Sequence, residues 1–109
     1  MRKYLVLYRA PVSAQEQMAQ ASPDQAKAGM DAWMTWAKKA GPGVLELGAP
    51  LVANAVLGAP TAEIGFIVGY SILQSESLDG ATKVLDGHPH LWMPGFSIEV
   101  LETMTMPGM

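Results

Sequence analysis

The run Lys3–Arg9 (KYLVLYR) is β-rich and apolar on both alternating faces, with Tyr4, Val6 and Tyr8 on one and Leu5 and Leu7 on the other. A strand of that kind sits centrally in a sheet and needs cover on both sides. The longest β-rich run, Ile64–Glu76 (IGFIVGYSILQSE), sets Ile64, Phe66, Val68, Tyr70 and Ile72 against Gly65, Ile67, Gly69, Ser71 and Leu73. It predicts a strand whose second face is small, suited to close packing in the first place and to a small-molecule cavity in the second. Val44–Leu47 and Phe96–Thr103 (FSIEVLET) read as two further strands.

Helix starts are marked by short polar residues that accept from the first free backbone N–H groups. Ser13 and Glu16 have capping-box spacing and open a short helical turn. Ser22, Pro23 and Gln25 form a second box with proline at the first helical position, and predict a helix to Ala40 closed by Gly41. Its apolar stripe reads Ala26, Met30, Trp33, Met34 and Ala37, and Lys38 and Lys39 suit the negative end of the helix dipole. Ser77 caps a helix Leu78–Asp86, with Leu78, Ala81 and Leu85 inward and Gly87 closing it. The stretch Pro50–Pro60 has no clear periodicity and is left unassigned.

The resulting order, β-α-β-β-α-β, is the ferredoxin-like α+β plan, an antiparallel sheet with helices on one face. A chain of 109 residues fits one domain. No element remains for the other sheet face, and a second copy of the chain is the simplest cover, giving a homodimer of two sheets with a cavity between them. Composition agrees, because 50% of residues are apolar and only 16% charged, against about 25% in an average soluble domain.

A net charge of −3 with scattered Lys and Arg gives no footprint for nucleic acid. The absence of cysteine excludes disulfides, thiolate catalysis and thiolate metal sites. The apolar run Tyr4–Tyr8 is too short for a signal peptide or a membrane span, and the expected location is cytoplasmic.

Both histidines of the chain fall in Gly87-His88-Pro89-His90-Leu91-Trp92, where the second helix must end. Pro89 forces His88 out of the helical region, so the two imidazoles project from an irregular corner. An aspartate such as Asp86 holding one ring nitrogen would aim the other as a general acid or base near neutral pH, and the helix C-terminus would favour the imidazolium. The plainer alternative is that both rings satisfy helix-terminal carbonyls and pack on Trp92. A metal site on His-x-His would need a third ligand from Glu46, Asp86, Glu99 or the other subunit, which the spacing does not identify, so no metal is assigned.

Trp92 lies in the same loop and either walls a ligand site or plugs the core. Trp33 and Trp36 are spaced to touch the sheet, Trp36 also being a candidate for substrate contact. Glu99 shares its strand face with Leu101 and lines an inter-sheet cavity or reaches its rim. The tail residues Met104, Met106 and Met109 are soft and apolar, suited to lying over a partner subunit.

The KYLVLYR strand, Ser22-Pro23-Asp24 leading to Ala32-Trp33 and Trp36, Ser77-Leu78-Asp79, and His88-Pro89-His90 followed by Gly95 and Ile98-Glu99-Val100 together resemble the YCII-related family nearly end to end. The resemblance implies a small dimeric α+β barrel and, for a few members, lyase-type chemistry such as dehydrochlorination through a histidine and an aspartate in a cleft. The chain departs from many relatives by carrying Gly29 four residues before the first-helix tryptophan, and by lacking an Asp-Gly-Pro-Phe segment.

Three functions remain open at this point. One is a cofactor-independent enzyme whose dimer cleft takes a small organic substrate, with His88 or His90 as acid/base and Trp92 as a wall. The others are a non-catalytic small-molecule binding module and a purely structural dimer. No phosphate loop, dinucleotide fingerprint or Gly-x-Ser-x-Gly elbow is present.

Overall fold

The computed structural model describes residues 1–59 and 65–108. Its elements are strand β1 (Arg2–Ala10), helix α1 (Ala14–Gln20), helix α2 (Pro23–Ala40), strand β2 (Val44–Glu46), strand β3 (Phe66–Ser75), helix α3 (Leu78–Val84) and strand β4 (Ser97–Glu102), with 3-10 turns at Gly41–Gly43 and Pro89–Trp92. The four strands form one antiparallel sheet in the order β2-β3-β1-β4. Element order and sheet order are those of the ferredoxin-like α+β plan, with the helices on one side. Ile64, read as the start of the long strand, lies outside the described residues, as do Pro60 and Met109.

Local chemistry accounts for the helix starts. The Ser22 hydroxyl accepts from the Gln25 amide at 3.1 Å while the Gln25 side chain accepts from the Ser22 amide at 2.9 Å, both halves of the predicted box. Ser13 and Ser77 cap α1 and α3 in the same way through the amides of Glu16 and Gly80.

The inner sheet face carries Tyr4, Val6, Tyr8 and Ala10 of β1, with Val68, Ser71 and Leu73 of β3, all buried beneath Ala14, Trp36, Ala81 and Leu85. Two readings of the helices need correction. Residues 21–31 are all exposed, Met30 and Met34 among the exposed side chains, and α2 packs instead through Trp33, Trp36, Ala37 and Ala40. The stripe is thus turned toward the two indoles. Leu78 is also exposed, leaving Ala81 and Leu85 to hold α3.

The strict alternation read for the long strand breaks once. Tyr8 pairs with Gly69 but Arg9 with Ile67, so Val68 is an extra residue in β3 and both Val68 and Gly69 are buried. Past β2, the unassigned stretch runs on along the β3 edge. The Tyr70 amide donates to the Ala49 carbonyl at 3.3 Å, and the Leu51 amide to the Val68 carbonyl at 2.9 Å. The small residue Gly69 fits beneath the Tyr8 ring and the Ala49 carbonyl, which is the packing explanation of the small face.

Candidate functional site

The histidine corner is built from both ends. The His88 amide donates to the Leu85 carbonyl at 3.1 Å, and Gly87 supplies the positive φ of 71° that turns the chain out of α3. His88 itself has φ −60° and ψ 132°, the extended conformation a residue before proline takes. That conformation carries its ring inward beneath α2.

There the imidazole is completely buried in an aromatic enclosure. Ring centroids lie at 4.3 Å from Trp36, 4.4 Å from Trp33 and 5.1 Å from Tyr8. The His90 amide donates to His88 Nδ1 at 3.0 Å. Nδ1 is therefore the acceptor, and in the neutral ring the proton sits on Nε2, which is buried with no hydrogen-bond partner among the described residues. Burial first, and the neighbouring His90 second, push the His88 pKa down to about 4. This overturns the expected imidazolium: desolvation outweighs the helix dipole.

His90 is buried too, and its Nε2 donates to the Arg9 carbonyl at 2.9 Å, fastening the turn to β1 beside the Val68 bulge. Burial lowers its pKa, with the Arg9 and Ser97 carbonyls acting the other way. The rings do not pack on Trp92, as the plainer alternative had it; the His90 ring lies 5.2 Å from both Tyr8 and Phe96. Beside the enclosure, the Tyr8 hydroxyl bonds to Ser71 Oγ at 2.8 Å, and burial raises the Tyr8 pKa to about 12 against the smaller opposing effect of Ser71.

Trp36 joins this enclosure to the outside. Its indole N–H donates to the Val84 carbonyl at 2.9 Å, and the same side chain, with Pro89, Trp92, Thr35, Lys39 and Asp86, lines a surface depression of about 350 Å³. Trp92 is 69% exposed. Three of the residues singled out in the sequence, Trp36, Trp92 and Asp86, therefore meet in one place, with His88 behind Trp36. The Asp86 carboxylate is exposed and, among the described residues, bonds to neither imidazole. Glu99 is elsewhere: it lies on the outer sheet face, its carboxylate 3.0 Å from Arg9 Nε. Ser71 belongs to the small face read from the sequence, but nothing local in either strand announces its bond to Tyr8 across the sheet. Among the described residues, no group of three or more His, Asp or Glu side chains is arranged to hold a metal ion.

No protein-family model matches the chain, and no curated protein matches it. Among solved structures, the fold is similar to that of 5-chloro-2-hydroxyhydroquinone dehydrochlorinase (TftG) from Burkholderia phenoliruptrix, determined in complex with 2,5-dihydroxybenzoquinone. The TM-score is 0.54 at 15% identity, over 97% of this chain and 95% of that one, a likeness of fold. Among the described residues no helix is long and apolar enough to cross a membrane.

Proposed function

We propose that the chain is a single-domain, YCII-related, cytoplasmic homodimer that works as a small cofactor-independent lyase-type enzyme on a planar organic molecule held in the Trp36–Trp92 depression. One observation carries this reading: a fully buried imidazole, one ring nitrogen of which has no hydrogen-bond partner among the described residues, lies behind a depression lined by two indoles, a carboxylate and an ammonium. Leaving a buried polar group unpaired costs about 1–3 kcal/mol, a sacrifice that structures make at reactive positions. Trp92 supplies an exposed aromatic wall, Asp86 a carboxylate able to take a proton, and Lys39 a charge for an oxyanion. His90 holds the turn in place through the Arg9 carbonyl. The likeness of fold to a dehydrochlorinase is compatible with elimination chemistry.

The shape of the subunit supports the dimer. It measures 48 × 40 × 20 Å with a radius of gyration of 15.1 Å, against about 13 Å for a compact domain of this length. Such a two-layer slab leaves the outer sheet face, with Leu5, Leu7, Ile72 and Leu101, for a second sheet to cover.

The test uses 2,5-dihydroxybenzoquinone for binding and 5-chloro-2-hydroxyhydroquinone for turnover, followed by chloride release. Saturable stabilisation by the first, weakened in Trp92→Ala, supports the site. Turnover lost in Asp86→Asn and His88→Ala, with the fold intact by circular dichroism, supports the chemistry. Binding without turnover of any chlorinated substrate would leave a non-catalytic binding module, a second reading favoured by the depth at which His88 lies. Absence of binding across a panel of small aromatics would leave a structural dimer.

A further inference from the structure

We propose that His88 meets its ligand as a neutral imidazole presenting Nε2–H to a carbonyl oxygen, so that the compound taken at this corner is a planar carbonyl compound. The inference deepens the functional reading above and rests on the depression being a ligand site.

The geometry fixes the role of each ring nitrogen. The lone pair of Nδ1 is occupied by the His90 amide at 3.0 Å, so this nitrogen neither accepts a substrate proton nor carries one while the turn is closed. A neutral imidazole has one N–H, which then belongs to Nε2. That donor is buried among Trp33, Trp36 and Tyr8 and has no acceptor among the described residues. The Tyr8 hydroxyl is bound to Ser71, the Trp36 indole N–H is spent on Val84, and among the described residues no carboxylate bonds to the imidazole to hold it charged. With its pKa pushed down to about 4 by burial, the ring stays a donor at neutral pH. What is missing beside it is an acceptor, and a carbonyl oxygen on a flat molecule is the acceptor that fits between aromatic walls.

Trp36 and Pro89, which line the depression, stand between it and the imidazole. Leu91, Trp92 and Met93 are 49%, 69% and 44% exposed, so the turn is anchored chiefly by Pro89 and His90. Gly87 and Gly95, at φ 71° and 81°, bracket it with residues free to change conformation. The opening that joins the depression to the imidazole is a shift of the exposed Leu91–Met93 end of the turn, with His90 still bonded to His88 Nδ1 and to the Arg9 carbonyl, so the proton stays on Nε2.

The test compares acetophenone with ethylbenzene, which share a skeleton and differ in the carbonyl. Binding is read by calorimetry, and the imidazole nitrogens by long-range ¹⁵N NMR on the whole protein. Acetophenone is expected to bind about ten-fold or more tightly than ethylbenzene, because the apolar analogue leaves the donor unpaired. It should also shift the His88 Nε2 resonance, and His88→Phe should bring the two affinities together. Equal affinities in the unaltered protein, or a free-state spectrum with the proton on Nδ1, overturn the assignment even if His88→Phe does not fold. Failure of both compounds to bind overturns the depression as a ligand site and this inference with it.

Discussion

The Tyr8 hydroxyl lies 2.8 Å from Ser71 Oγ, and Ser71 in turn donates to the Leu47 carbonyl at 2.6 Å, a relay that ties the central strand to the segment leaving β2. Since Ser71 has one proton and gives it to Leu47, Tyr8 must be the donor to Ser71. The two ends of the relay are therefore unequal. Tyr8→Phe removes one bond and leaves Ser71 with its carbonyl partner, a loss of about 1 kcal/mol. Ser71→Ala strands both the buried phenol and the Leu47 carbonyl, and about 2–3 kcal/mol is expected. Urea denaturation of the two variants checks the order; Tyr8→Phe proving the more damaging would refute it.

His88 and His90 make the fold sensitive to acid. The folded pKa of His88 is about 4, below the ordinary value of 6.5, and that of His90 is shifted in the same direction. In this interval the unfolded chain binds more protons than the folded one, so stability is full above about pH 6.5 and falls as pH drops toward 4. For His88 the separation corresponds to about 3 kcal/mol, with the loss of the His90 amide bond as one structural cause, since a protonated Nδ1 no longer accepts. Denaturant midpoints taken between pH 7.5 and 4 should decline, and His88→Phe should flatten the decline. A midpoint independent of pH in this range contradicts the burial of the imidazole.

Much of the architecture is legible from short-range chemistry. The Ser22–Gln25 box, the caps at Ser13 and Ser77 and the four strands each depend on residues a few positions apart, and each lies where spacing puts it. The features that escape depend on distant partners. Met30 and Met34 fit an apolar stripe as well as any residue of α2, but which stripe packs is decided by where Trp33 and Trp36 meet β1 and the histidine corner. Val68 breaks the alternation of β3 only because β1 pairs out of step beside it. At the site, Pro89 foretells the backbone of His88, whereas the ring's burial follows from three aromatic residues on other elements. Trp92, Asp86 and Trp36 line one depression, whereas Glu99 lies on the outer sheet face.

Gly48 and Gly58 offer a test of the edge segment beyond β2. Both have positive φ, 82° and 81°. A Cβ at Gly48 would run into the Tyr70 carbonyl, part of the β3 backbone, whereas one at Gly58 would meet no atom of the described residues. Gly58→Ala bears only the conformational penalty, about 1 kcal/mol. Gly48→Ala must in addition push the segment off β3, and the bonds of Tyr70 to Ala49 and Leu51 to Val68 go with it. Hydrogen exchange should show the Tyr70 and Leu51 amides losing protection in Gly48→Ala and keeping it in Gly58→Ala. Equal protection in both variants would mean that the edge pairing is absent in solution.

The outer sheet face is the surface on which the proposed homodimer is tested. Cross-strand partners share a face, so Leu5 lies with Ile72 and Leu101, Leu7 with Tyr70 and Glu99, and Arg9 with Ile67 and Ser97. At the centre of this face the charges are paired, while Lys3 lies toward the end of β1. Arg9 meets Glu99 at 3.0 Å, and chiefly the charge of Glu46 holds the Tyr70 phenol above its ordinary pKa. A face whose central charges are already paired is cheaper to remove from water than one with isolated ions there. The homodimer proposed above should therefore appear in sedimentation as twice the 11.6 kDa chain. Leu7→Glu places an unpaired carboxylate at the centre of the face and should yield the single chain, while Met30→Glu, on an exposed part of α2, should leave the mass unchanged. If the unaltered protein sediments as one chain at micromolar concentration, the outer face is not a dimer interface.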